Sequence, residues 1–194
     1  MGLGNPLPEY ALTRHNVGHR VIEEMARRTN SRLRGRGNLQ MAGSNLQGSQ
    51  LILAKSLTYM NESGIAADEM VRRTGISPSH LLVVCDDINL PLGSLRLRRS
   101  GGDGGHKGLM SVSAYLNTVE FPRLRIGVGV LPSGEDAVGY VLGPFAGEEQ
   151  PLVEQAVKRA ADCLAMLVLD GIGEAMNYFN REPSAAPAET PEDT

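Results

Sequence analysis

The run LLVVC at residues 81–85 is followed at once by Asp86 and Asp87. A short apolar run of this kind forms a buried strand, and two carboxylates directly behind it fall at the strand's carboxyl end. That edge is where α/β sheets present their ligand sites. LILAK at 51–55 is a second run of the same type, and SLRLRR at 94–99 and LRIGVGV at 124–130 also read as strands. Helical spacing covers 21–28, 66–74, 109–116, 152–169 and 173–180. Helix and strand alternate along the chain, so the expected class is α/β. No internal repeat or linker divides it, and 194 residues with 41% hydrophobic content suit one domain, placed at 1–181.

Charge is unevenly distributed. The formal net charge is -3, but residues 182–194, EPSAAPAETPEDT, hold four acids and no base, and without them the chain sits near +1. Such a segment, rich in Pro, Ala and acids, is expected to be a disordered tail. Residues 94–125 carry six bases (Arg96, Arg98, Arg99, Lys107, Arg123, Arg125) against Asp103 and Glu120, which points to a local basic face. No run approaches the roughly 18 apolar residues of a membrane span, and no secretory signal opens the chain, so a soluble cytoplasmic protein is expected. Cys85 and Cys163 form no C-x-x-C pair and are expected to be reduced, packed thiols.

Several chemistries lack a signature. The glycine loops GLGNP at 2–6 and SGGDGGHKG at 100–108 match neither G-x-x-x-x-G-K-[ST] nor G-x-G-x-x-G, which argues against ATP and NAD. No G-x-S-x-G elbow and no H-E-x-x-H metal spacing occur. His, Asp and Asn chemistry remains. A histidine serves as general base near neutral pH when a carboxylate fixes its tautomer and stabilises its imidazolium. His15, just ahead of the first long helix, and Asp86 are candidates for such a pair, although each alone also fits a structural role. His19 and His80 read as a helix-face and a loop residue.

Read in order, GLGNP (2–6), EYALTRHNVG (9–18), LTYMNESG (57–64), VVCDDINLPLG (83–93), SGGDGGHKGL (100–109) and FPRLRIGVGV (121–130) resemble the bacterial peptidyl-tRNA hydrolase family over about residues 2–180. The resemblance implies a monomeric α/β fold with a twisted mixed sheet flanked by helices. It also implies hydrolysis of the ester joining a peptide to the terminal adenosine of tRNA, with no metal or organic cofactor. By it His15 matches the catalytic base and Asp86 the residue that orients it. Asn5 matches the residue that tells N-blocked peptides from free aminoacyl-tRNA, and Asn61 a substrate-binding amide suited to a developing oxyanion. Tyr10 and Tyr59 match cleft-lining positions, Met60 beside Asn61 reads as a cleft wall, and Arg98 and Arg125 resemble a clamp for the tRNA 5′ phosphate.

The sequence departs from the family pattern at three places. Only Met1 precedes GLGNP, where members carry a short apolar strand, so a start further upstream is expected. Leu7 and Pro8 stand where a glycine is usual after NP. Lys107 replaces the asparagine frequent in GGHNG; an ammonium only donates where an amide also accepts, and a substrate-binding role is assigned to it. His106 reads as a loop anchor. The alternatives are a non-catalytic RNA-binding relative of the same fold and, more weakly, an α/β module for a phosphorylated small molecule.

Overall fold

The computed structural model describes residues 1–181; the tail expected at 182–194 lies outside them. Three antiparallel strands, β1 (Arg34–Arg36), β2 (Leu39–Leu46) and β3 (Ser49–Ser56), form a meander. β4 (Val83–Asp87) pairs in parallel with β6 (Arg123–Gly127), which pairs antiparallel with the edge strand β5 (Leu95–Arg98). Residues 1–3 join the two halves. Gly2 bridges in parallel to Lys55 on one side and Val84 on the other, through Gly2 N–H to Ala54 O and Leu3 N–H to Val84 O, both 2.9 Å. The result is one mixed sheet in the expected class. The pairing that leads into Asn5 is present over three residues, and the Met1 amino group is buried there, donating to Leu82 O.

Side-chain alternation on the sheet feeds two cores. Val84, Leu97, Leu124 and Ile126 face α1 (Val17–Arg28), α5 (Gln150–Leu169) and α6 (Ile172–Phe179). Leu3, Ala54, Val83 and Cys85 face α2 (Ser63–Thr74) and α3 (Lys107–Leu116). Successive strand residues point to opposite faces, so one five-residue strand serves both layers. Both cysteines are free and buried, and burial pushes the Cys163 thiol up to about 12.

Helix α1 approaches the sheet backbone to backbone. A Cβ on Gly18 would stand 2.5 Å from Val84 O and 2.7 Å from Leu3 O, distances at which backbone must move. Gly18→Ala gains helix propensity of about 1 kcal/mol. We expect overpacking to outweigh that gain, with a net loss of about 2 kcal/mol. A urea midpoint equal to wild type would refute this account of the close approach.

Expected and observed elements differ at several points. β1 and β2 escape sequence reading because LQMAGSNL alternates poorly; its ladder with β3 makes it a strand. A short helix α4 (Ala137–Leu142) buries no residue and so lacks an apolar signature; the Asp136 carboxylate caps it, accepting from Val138 N and Gly139 N. β6 stops at Gly127 rather than running to 130, the chain turning at Gly129 with φ +98°. His19, on the buried face of α1, has its Nε2 3.3 Å from Ser56 Oγ, and burial pushes it down to about 3.

Candidate active site

The segment TRHN at 13–16 sets the geometry of the site. Thr13 Oγ1 donates to Tyr10 O at 2.8 Å and closes the preceding turn. Arg14, mostly buried, donates to Val128 O at 3.1 Å and forms a two-pronged pair with Glu149 at 3.1 and 2.8 Å, its guanidinium lying over the Tyr140 and Phe145 rings. Asn16 faces the other way. Its Oδ1 accepts from Asn5 N–H and its Nδ2 donates to Asn5 O, both at 2.9 Å. His15 is therefore held between two anchored neighbours at the start of α1. No role for Arg14 or Asn16 is read from the sequence, and the signal that could have found them is their place beside His15 in EYALTRHNVG.

Asp86 points to the α1 face of the sheet, as Val84 does two residues earlier. Its Oδ1 lies 2.8 Å from His15 Nδ1 and 2.9 Å from His106 Nε2. The two imidazole rings are 5.0 Å apart. His106 is the N-cap of α3, its Nδ1 accepting from Gly108 and Leu109 N–H at 3.1 and 3.2 Å. An acceptor at Nδ1 places the His106 proton on Nε2, where it donates to Asp86. Burial alone would raise the Asp86 carboxyl; His106 and His15, through the positive charge each carries when protonated and through their hydrogen bonds, hold it below the usual carboxylate range. An ionised carboxylate only accepts, so His15 carries its proton on Nδ1 and leaves Nε2 with a free lone pair.

His15, Asp86 and His106 also form a group whose potential ligand atoms lie within 4.8 Å of one another. A metal ion at their centre would require His106 to release its Nε2 proton while Nδ1 still accepts two N–H bonds. That imidazolate state is costly, so the donor set fits a hydrogen-bonded relay better than a metal.

These groups open into a cleft of about 570 Å³. Asn5, Tyr10, His15, Tyr59, Met60, Asn61, Asp86, Lys107 and Arg125 all line it, and Arg98 does not. Asn5 Oδ1 accepts from Met60 N–H at 2.9 Å, which fixes the carboxamide and orients its NH2 group as a donor for a ligand. Met60 is buried as a cleft wall, while Tyr59 is exposed at the rim. Opposite them α4 contributes an apolar wall of Ala137, Val138, Val141 and Leu142, which the sequence did not signal.

The two arginines expected to act together part company. Arg125 donates to Asp87 Oδ2 at 3.0 Å and to Gly102 O at 2.7 Å, tying the glycine loop to the cleft wall. Arg98 is exposed on β5 opposite Arg123, and Arg125 stands opposite Arg96. All four lie on one face of the β5–β6 ribbon, since residues two apart in a strand and directly opposed residues share a face.

The family model described as peptidyl-tRNA hydrolase matches residues 1–187. The peptidyl-tRNA hydrolase of Aquifex aeolicus is 44% identical over 187 residues, covering 94% of this chain and 95% of that protein. That of Chloroflexus aurantiacus is 42% identical over 182 residues, covering 93% and 97%. Among solved structures, the peptidyl-tRNA hydrolase of Acinetobacter baumannii superposes with a TM-score of 0.87 at 35% identity, over 92% of each chain. With the ordered motifs, the fold and matches of this extent all in agreement, the chain belongs to the peptidyl-tRNA hydrolase family.

Proposed function

We propose that the protein hydrolyses the ester between an N-blocked peptide and the 3′-terminal adenosine of tRNA, with His15 as general base, and so returns tRNA from stalled translation. One observation carries the assignment of roles: His15 Nδ1 is bound to the buried Asp86 carboxylate, which leaves Nε2 unengaged on a ring that lines an open cleft. A water beside Nε2 gives its proton to the ring as its oxygen attacks the ester carbonyl, and Asp86 stabilises the imidazolium formed. The carbonyl oxygen takes up negative charge, for which Asn61 is the amide donor at hand. Collapse breaks the acyl–oxygen bond, and the imidazolium returns the proton to the departing ribose hydroxyl.

Asn5 offers a fixed N–H donor for a peptide carbonyl, a group that a free amino acid lacks beyond its ester. Tyr10 and Tyr59 supply rings for the terminal base, and Met60 with the α4 wall receives apolar side chains. Lys107 is the first residue of α3 and lines the cleft, which supports a role in meeting ribose or phosphate oxygen. Arg98 offers a guanidinium without an acidic partner among the described residues, whereas Arg125 acts through Asp87 and the glycine loop. A monomeric enzyme is what the family resemblance implies, and it is proposed on that ground. Among the described residues no helix is long and apolar enough to cross a membrane. A substrate made during translation favours a cytoplasmic location.

The test is incubation with N-acetylated and free aminoacyl-tRNA side by side. Release of tRNA from the blocked substrate with sparing of the free one is expected; equal release from both, or none, would overturn the proposal.

A further inference from the structure

Besides its histidines, the cleft is lined by four charged side chains, Asp86, Asp87, Lys107 and Arg125. Three of them are engaged within the protein. The buried Asp86 carboxylate accepts from His15 and His106 at 2.8 and 2.9 Å, and Asp87 and Arg125 pair at 3.0 Å. Lys107 is exposed, and among the described residues it has neither an acidic partner nor a side-chain hydrogen bond. The fold does not call for a cation there. Lys107 opens α3, whose first turn carries partial positive charge, and the His106 imidazole already caps that end. A cation in the first turn opposes the helix dipole, so the unpaired charge bears on what enters the cleft.

Its position says which part of a substrate it meets. The His15 and His106 rings are 5.0 Å apart, and Lys107 follows His106 in the chain. With one further Cα step of about 3.8 Å, the Lys107 ammonium and the α-substituent of an ester held at His15 lie on the order of 8 Å apart. In a free aminoacyl ester that substituent is an ammonium; in an N-blocked one it is a neutral amide. We propose that Lys107 discriminates against free aminoacyl-tRNA by charge, repelling the α-ammonium and admitting the amide. Asn5 reads a different feature, the carbonyl of the blocking group. A cation that attracts ribose or phosphate oxygen also repels ammonium, so the two roles of Lys107 are compatible. At this separation, and at an effective dielectric of about 20–40, like charges alter relative affinity by about five- to thirtyfold.

The inference rests on the hydrolase reading, and the experiment separates the two. Full-length wild type, K107Q and K107R are each given N-acetylphenylalanyl-, phenylalanyl- and phenyllactyl-tRNA. The last is unblocked, like the second, but carries a neutral hydroxyl in place of the ammonium. Rates are taken as kcat/KM at about pH 6.5, below the ordinary α-amino value near 8. Contacts to the shared tRNA divide out of the ratios between substrates. We expect the phenyllactyl-to-phenylalanyl ratio to fall about five- to thirtyfold in K107Q and to be kept in K107R. The acetyl-to-phenyllactyl ratio, which Asn5 sets, should be the same in all three proteins. An unchanged first ratio in K107Q overturns the inference and leaves the hydrolase standing. So does a K107R that behaves like K107Q, because shape and not charge would then decide. An equal fall in both ratios would make Lys107 a reader of the blocking group and overturns it as well. A wild type that cleaves no blocked substrate sinks the hydrolase reading and this inference with it.

Discussion

Replacing His15 by alanine should reduce cleavage of an N-acetylated aminoacyl-tRNA by about 10²–10⁴-fold, the range general-base catalysis contributes. Binding of tRNA should survive, because Arg98, proposed above to meet phosphate, lies outside the cleft that His15 lines. The side chain is 12% exposed and makes one hydrogen bond, to Asp86. Its loss leaves His106 as the remaining donor to a buried carboxylate. We expect an accompanying stability loss of about 1–3 kcal/mol, the cost of an under-satisfied buried polar group. Single-turnover kinetics beside a tRNA-binding titration decide the matter: a wild-type rate would refute the assignment, and a rate and affinity falling together would make His15 a binding residue.

The chemistry at Asp86 was legible because strand and acid are contiguous in LLVVCDD, and a strand's end is a place the fold dictates. The His15 position was legible only through the ordered motifs, since a histidine before a helix has no chemical signature by itself. Its partner could not be read from spacing, because the contact across 71 residues depends on how closely α1 sits on the sheet, which Gly18 and Gly2 permit. His106 reads correctly as a loop anchor. That it anchors by sharing the Asp86 oxygen is a tertiary fact no local pattern encodes. The same holds for Arg125: a basic residue in a basic stretch reads as free charge, and only the fold brings Asp87 and Gly102 O to it. The β1–β2 hairpin and α4 were missed for a simpler reason. Neither buries a periodic apolar stripe, so their order comes from the neighbours that hold them.

Asp86→Asn separates the two services the carboxylate performs. Both imidazole N–H groups converge on Oδ1, so a carboxamide should place its oxygen there, since its NH2 would face two donors. Orientation and tautomer of His15 are then kept, and only the charge is lost. A carboxylate about 4 Å from the imidazolium is worth about 4 kcal/mol at an effective dielectric near 20, so kcat should fall about a thousandfold with KM little changed. The acid side of the stability curve gives a second readout. Asp86 is held below the usual carboxylate range in the folded protein, so its contribution is present above the ordinary Asp value near 4 and is lost as pH falls through the folded value. The variant has nothing to protonate there, and its urea midpoint should decline less between about pH 4 and pH 2 than that of wild type. A variant with wild-type kcat would show that His15 needs only a hydrogen-bond acceptor, and the negative charge beneath the imidazole would have no part in the reaction.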